Sequence, residues 1–300
     1  MEKLTNISNI KKILHAHGFT FKKSLGQNFL INPSVCPKIS KMAESQKFAL
    51  EIGAGIGVLT RELAKSVEKV VAIELDQRLI PILNETLAGF DNVKIIHGDI
   101  MKLDLQKIIA EEFDGKKPAV CANLPYYITS PVIMMLLEQK LPISTITVMV
   151  QKEAALRITA APGTRESGAI SYAVSYYSTP KLLFNVSAGS FMPAPKVDSA
   201  VITLDVKTAE QITQEHSKIK MPLQENAKAN NPIDEKLLFK CIKAGFSQRR
   251  KTLPNALASI INKQQISAAM ELCGISPLSR AEQLRLEDFI KLSETLRDKM

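Results

Sequence analysis

Little in this chain of 300 residues suits a metal site or a disulfide framework. Its four cysteines, Cys36, Cys121, Cys241 and Cys273, lie far apart, and none forms a C-x-x-C pair. That spacing excludes a zinc pattern and reads as free thiols in a reducing compartment. Histidine is equally scarce. His15 and His17 stand two residues apart, so a helix sends them to different faces, and no metal is expected. Long apolar runs are missing too: none approaches the roughly 18 residues of a membrane-spanning helix. The amino-terminal stretch lacks a signal-peptide core, because Lys11, Lys12, Lys22 and Lys23 interrupt every apolar segment. Glu2 and the few serines speak against a transit peptide. The expectation is a cytoplasmic protein that does not enter a membrane.

What is present is ordinary globular material. Hydrophobic residues make up 45% and charged residues 23%, enough to bury a core and to exclude disorder of the whole chain. At roughly 100–200 residues per domain, the length suggests two domains or one large one. The formal net charge of +9 is unevenly placed. Residues 1–47 hold eight Lys against two Glu, and residues 236–300 hold twelve Lys and Arg against six acids. Residues 48–235 hold nineteen basic and twenty-two acidic residues. Basic flanks around a near-neutral body point to a phosphate backbone as partner, with solvated ends as the plain alternative.

Periodicity then orders the chain. Apolar residues at 10, 13 and 14 predict a helix over 8–17, stopped by Gly18, followed by an irregular arm over 19–35. Strands are predicted at 48–52, 68–75, 93–97, 118–123, 145–151, about 181–186 and 200–206. Helical patterns at 58–66, 77–88 and 130–140 fall between the early ones. This alternation predicts an α/β fold with a parallel sheet, and an antiparallel edge where the later strands lose their helices. The expected organisation is an amino-terminal helix and basic arm (1–47), an α/β domain (48–206), a polar linker or insertion (207–234) and a helical domain (235–300).

The chemistry clusters at strand ends. Glu51-Ile52-Gly53-Ala54-Gly55-Ile56-Gly57 follows the first long strand and precedes a helix. Glycines there allow a tight turn and close approach of a ligand, and the helix amino end adds partial positive charge. A dinucleotide fingerprint would place a glycine at 58, where Val58 stands, and no Gly-Lys-Ser/Thr phosphate loop follows. Glu51, two residues before Gly53, suits a cofactor with a cationic end better than a pyrophosphate. Glu74 ends the second strand, where a carboxylate can accept from both ribose hydroxyls, or can equally be a strand-end acid before the helix cap Asp76. Asp99 ends the third and can accept from an adenine amine. Together Gly53, Gly55, Glu74 and Asp99 trace a nucleoside along three strand ends and favour S-adenosylmethionine.

The most specific feature is Asn123-Leu124-Pro125-Tyr126 at the end of the fourth strand. Pro125 sets a rigid turn that would aim the Asn123 amide and the Leu124 carbonyl outward as acceptors for a planar exocyclic amine. Tyr126 can stack on a base. The five tyrosines all fall between 126 and 177; Tyr172, Tyr176 and Tyr177 read either as part of that site or as core.

These motifs resemble the ribosomal RNA adenine N6,N6-dimethyltransferases, specifically their bacterial small-subunit branch. The matching blocks are KSLGQNFL (23–30), EIGAGIGVLT (51–60), AIELD (72–76), Gly98-Asp99, NLPYYITSP (123–131), FMPAPKVDS (191–199) and FSQRRKTL (246–253). The resemblance implies a Rossmann-like S-adenosylmethionine-dependent methyltransferase sheet with a smaller all-α carboxy-terminal domain. It implies that Asn28 and Leu30 close over the methionine end of the cofactor and that Gly53 lies beneath it. Glu74 takes the ribose, Asp99 the adenine amine, and Asn123 sits beside the sulfonium. Tyr126 and Phe191 sandwich the target adenine. The implied substrate is a pair of adjacent adenosines in the 3′-terminal hairpin loop of 16S rRNA, within the small subunit or its precursor. RNA contacts are expected from Lys22, Lys23, Arg249, Arg250 and Lys251, the last three on a predicted helix, with Lys240 and Lys243 as further candidates. The expected working form is a monomer.

Three rivals remain at this point. Large-subunit rRNA methylation, as in the related erythromycin-resistance methylases, is the nearest. A non-catalytic ribosome-assembly factor and a nicotinamide dehydrogenase are the others. Glycine spacing speaks against the last.

Overall fold

The computed structural model describes residues 3–22, 26–222, 233–248 and 250–297. Its strands are β1 (Phe29–Leu30), β2 (Phe48–Ile52), β3 (Lys69–Glu74), β4 (Val93–His97), β5 (Ala119–Asn123), β6 (Thr145–Gln151), β7 (Ser178–Val186), β8 (Phe191–Met192) and β9 (Ser199–Val206). Seven of them form one sheet in the order β4-β3-β2-β5-β6-β9-β7. The run from β4 to β6 is parallel, and β9 pairs antiparallel with β6. Val70, Val71, Ala72, Val120, Cys121 and Ala122 are all buried, as strands covered on both faces require. The strand order reverses beside β2, between β3 and β5, and ligands of open α/β sheets bind outside the carboxyl ends at such a point.

The helices are α1 (Ile7–Ala16), α2 (Val35–Glu44), α3 (Val58–Ser66), α4 (Ile80–Thr86), α5 (Leu105–Glu112), α6 (Thr129–Glu138), α7 (Lys152–Thr159), α8 (Ala169–Tyr177), α9 (Ala209–Ser217), α10 (Glu235–Ser247), α11 (Leu253–Leu257), α12 (Lys263–Leu272) and α13 (Leu286–Arg297). Among the described residues no helix is long and apolar enough to cross a membrane. Local chemistry sets several starts. Asn6 Oδ1 accepts from Ser8 N–H at 2.8 Å ahead of α1, which buries Ile10 and Leu14 as its spacing demands. Gly57 opens α3 at φ +87°, and a Cβ there would lie 3.1 Å from Thr86 Oγ1 and 3.2 Å from Leu87 Cδ2.

The chain forms two compact units, residues 1–155 with 180–206, and residues 156–179 with 207–300. The cut after Val206 coincides with the expected end of the α/β domain, whereas residues 156–179 do not stay with that domain. Residues 156–179 go with the helical unit because α8 carries its aromatic side. Tyr172 is fully buried there, 5.3 Å edge-to-face from Phe289 and 5.1 Å from Phe246. Glu235 accepts from the Tyr177 hydroxyl at 2.9 Å and the Tyr176 hydroxyl at 3.3 Å. These three tyrosines are core of the second unit.

The expected linker also contains structure. Thr208 caps α9 in a reciprocal box with Gln211, and His216 lies 4.8 Å ring-to-ring from Tyr176. Residues 223–232 lie outside the described residues. In the first unit, the arm read as irregular contains β1, which pairs antiparallel with β8 in the register Phe29 to Met192 and Leu30 to Phe191. Helix α2 follows, with Pro37 in its first turn where a missing N–H costs nothing.

Candidate active site

The site grows from four strand ends in the first unit. At the end of β2 the chain turns back on β3: Gly53 N–H donates to Ile73 O at 2.8 Å, and Ala54 N–H to the same oxygen at 3.3 Å. Gly53 holds φ at +76°, and a Cβ built on it would meet nothing within 4 Å, so the space above it is open. Gly55, at φ +62°, lies against the Phe29 ring, 3.5 Å from Cε1 to its would-be Cβ. The arm thus covers the loop.

Glu74 ends β3, 6% exposed. Its Oε2 accepts from Gly55 N–H and its Oε1 from Asp76 N–H, each at 2.8 Å. Burial raises its pKa above the ordinary value, and the two backbone donors oppose that shift. One carboxylate therefore fixes the glycine loop and still has lone pairs for a ligand. Asp99 follows β4 and is tied by Met101 N–H to Oδ1 at 3.0 Å.

At the end of β5, Asn123 Nδ2 donates to the Asn28 carbonyl at 3.4 Å, which reserves Oδ1 as an acceptor. Leu124 is 2% exposed. Pro125 holds φ −54° and starts a single 3₁₀ turn, Tyr126–Ile128. The Tyr126 hydroxyl is hydrogen-bonded to Ser199 Oγ at 2.8 Å. Phe191 is buried in a cluster with Leu30, Cys36 and Ile39, opposite Leu30 in the β1–β8 ladder.

Asn28, Leu30, Gly53, Gly55, Glu74, Asp99, Asn123, Leu124, Pro125, Tyr126 and Phe191 all line one cavity of about 300 Å³. The structure brings together every candidate that the sequence placed at the reaction centre. The basic candidates stand elsewhere. Lys22, Lys240, Lys243, Arg250 and Lys251 are exposed, while Lys23 and Arg249 lie outside the described residues. Arg250 and Lys251 are not on a helix. Helix α10 ends at Ser247, and Lys251 N–H closes a turn on Gln248 O. Pro254 lies in the first turn of α11, where a missing N–H costs nothing, and Thr252 precedes the helix in an extended conformation at φ −64°, ψ 154°.

Several lining residues escaped sequence reasoning. Gln27 Nε2 donates to Asp76 Oδ2 at 2.8 Å, and Asp76 also binds Arg78, whose Nη1 reaches Thr20 O at 3.0 Å. This chain of bonds holds the arm beside the cavity; Gln27 lies inside a motif block, which was the available signal. Leu75 and Met101, 46% and 44% exposed, line the cavity beside the two acids. Glu51, already read from the sequence as suiting a cofactor with a cationic end, lines the cavity as well. Its Oε2 is buried without a hydrogen-bond partner, and burial pushes its pKa up to about 8. The Thr60 hydroxyl opposes the shift but completes no hydrogen bond of ordinary geometry.

A parallel sheet of this order, a glycine loop open above Gly53, acids closing two neighbouring strands and an Asn-Leu-Pro-Tyr turn on the next define a Rossmann-like S-adenosylmethionine-dependent methyltransferase. Over residues 18–298 the chain matches the ribosomal RNA adenine dimethylase family, and it belongs to that family. It is 44% identical over 294 residues to ribosomal RNA small subunit methyltransferase A of Geobacillus thermodenitrificans, covering 95% of this chain and 94% of the relative. Among solved structures it is similar to a dimethyladenosine transferase from Plasmodium falciparum, with TM-score 0.69 and 25% identity, over 90% of this chain and 98% of that one. The 23S rRNA methyltransferase ErmE shares the fold, with TM-score 0.62 and 23% identity, over 90% of this chain and 100% of that one.

Proposed function

We infer that this chain dimethylates the N6 amines of two adjacent adenosines in the 3′-terminal hairpin loop of 16S rRNA, in the small subunit or its precursor, in the cytoplasm. The carrying observation is that the Asn123-Leu124-Pro125-Tyr126 turn shares one cavity with Glu74 and Asp99. The likeness to small-subunit enzymes at 44% identity, against 23% for the large-subunit enzyme, favours the small-subunit substrate.

The residues suit the cofactor. The space over Gly53 is one that a Cβ would fill, and its left-handed φ favours glycine. Glu74 would hold the ribose, Asp99 the adenine amine, and the arm residues Asn28 and Leu30 the methionine end. S-adenosylmethionine supplies an electrophilic methyl group on a sulfonium.

The target amine is a weak nucleophile, because its lone pair is delocalised into the purine. The Asn123 side-chain carbonyl and the Leu124 backbone carbonyl accept its two N–H bonds. Those contacts draw the nitrogen out of plane and stabilise the positive charge it acquires, which is differential binding of the transition state. Pro125 fixes the spacing of the two acceptors. Tyr126 and Phe191 hold the adenine between them. Leu30, Leu124 and Phe191, each under 7% exposed, keep water from the reacting nitrogen. No general base is required, because the product ammonium is acidic enough to release its proton to water. After the first transfer one N–H remains, and one of the two acceptors suffices to aim the methylated amine.

Labelled S-adenosylmethionine, offered with small subunits from a strain lacking this methylation and with large subunits in parallel, tests the reading. Dimethyladenosine in the small-subunit RNA alone is expected by mass spectrometry. Label in the large-subunit RNA favours the resistance-type reaction, and no label in either favours an assembly role.

A further inference from the structure

We propose that Tyr127 binds the RNA substrate: its ring stacks on the nucleobase adjoining the adenosine in the cavity and holds that neighbour at the cavity mouth. The inference rests on the functional reading above and deepens it by naming a second base-binding position.

Tyr126 and Tyr127 are consecutive in one 3₁₀ turn, where successive side chains point about 120° apart. Tyr126 is committed inward by its hydrogen bond to Ser199 Oγ at 2.8 Å. Tyr127 therefore diverges from it, and is 57% exposed while still lining the cavity. A large ring left half in water is not needed for the fold. Phe21, 38% exposed, is the other exposed aromatic among the described residues, and it packs on Phe29 at 5.2 Å and Phe19 at 5.9 Å. Tyr127 has no ring partner among the described residues.

The ring lies beside Gly26: a Cβ built there would come 3.5 Å from Tyr127 Cε1 and 3.3 Å from Pro125 Cβ. Gly26 stands at φ +59°, a conformation that favours glycine. An aromatic ring with two side-chain torsions loses little freedom when a base arrives.

The chemistry of extrusion calls for such a platform. An adenine drawn into the cavity leaves its neighbour with one bare face, and single-stranded RNA is bound mainly by stacking such faces on aromatic rings. Since the two targets are adjacent, the neighbour of one is the other. A single ring at the mouth then serves both registers, holding the second adenosine while the first is methylated.

The test compares the full-length wild type with Tyr127→Ala, Tyr127→Leu and Tyr127→Phe on unmethylated small subunits. Initial rates are measured against subunit concentration, and S-adenosylmethionine affinity by calorimetry. Tyr127→Ala and Tyr127→Leu are expected to lower kcat/KM for the subunit roughly tenfold or more, mainly through KM. Tyr127→Phe should stay within about twofold of wild type, since stacking needs the ring alone. Cofactor affinity should be unchanged in all three. Product RNA from the Ala and Leu variants should contain more molecules with only one of the two adenosines modified. Wild-type kinetics in Tyr127→Ala, equal loss in Tyr127→Phe, or a matching loss of cofactor affinity would each overturn the inference. Failure of the wild type itself to label small subunits overturns the functional reading, and is seen before any variant is compared.

Discussion

The Tyr126 hydroxyl and Ser199 Oγ lie 2.8 Å apart, joining the turn after β5 to the first residue of β9. Two motif blocks that are far apart in sequence meet in that bond. It fixes the tilt of a ring on the cavity wall, beside the acceptors Asn123 and Leu124. Ser199→Ala leaves the Tyr126 hydroxyl without this partner. The expected outcome is a stability loss of about 0.5–1.5 kcal/mol. Because a loosened ring misplaces the base, kcat on small subunits should fall about threefold to tenfold, with S-adenosylmethionine affinity unchanged. Chemical denaturation and steady-state rates check both parts.

Glu74 couples loop geometry to ligand binding, since its two oxygens hold Gly55 N–H and Asp76 N–H. Glu74→Ala strands both backbone donors and removes the proposed ribose acceptor. Calorimetry should show S-adenosylmethionine affinity reduced by tenfold or more, on the order of 1.5–3 kcal/mol for hydrogen bonds to a charged group. Glu74→Gln keeps the shape and one acceptor, and should lose less. Equal affinity in wild type and Glu74→Ala would place the nucleoside elsewhere.

Gly53 separates cavity shape from charge. Ala at φ +76° is strained by about 1–2 kcal/mol, and its methyl enters space that is empty in the wild type. Gly53→Ala should therefore lower the melting temperature modestly while weakening S-adenosylmethionine by a larger factor. A variant destabilised as expected but binding the cofactor normally would show that the space over Gly53 is not the cofactor's.

Much of this was legible in the sequence, and the reasons are local. β2, β4 and β6 fall where their short apolar runs place them, and α3 starts at the predicted Val58, because these segments are bounded by glycine or polar residues. β1 and β8 were not legible: two residues carry no periodicity, and their pairing depends on a contact distant in sequence. Helix α8 is not among the helical patterns the sequence offers, and whether Tyr172 is site or core is open there; its partners are Phe246 and Phe289 of the second unit. The candidate residues at the reaction centre could be read from motif blocks, whereas the burial of Glu51 could not, because charge is visible in a sequence and desolvation is not.

Glu51 supplies the last prediction. Its pKa, near 4.5 when unfolded, is pushed up to about 8 by complete burial, with Glu74 adding in the same direction. Cys36 and Cys121, whose thiols burial pushes up, are its neutral neighbours. Below the unfolded value the carboxyl is neutral in both states and costs nothing. Between the two values the unfolded chain releases a proton that the folded chain retains, so stability falls as pH rises, and the fall ends above the folded value. The loss from this one group should reach about 2–4 kcal/mol by pH 8. Glu51→Gln keeps the size of the neutral acid without titrating. The stability difference between Glu51→Gln and wild type, measured by denaturant unfolding of the ligand-free protein, should grow from about pH 5 to pH 8 and then level off. A difference that stays flat across that range would mean Glu51 is ionised in the folded protein at neutral pH, with a counter-charge close enough to offset its burial.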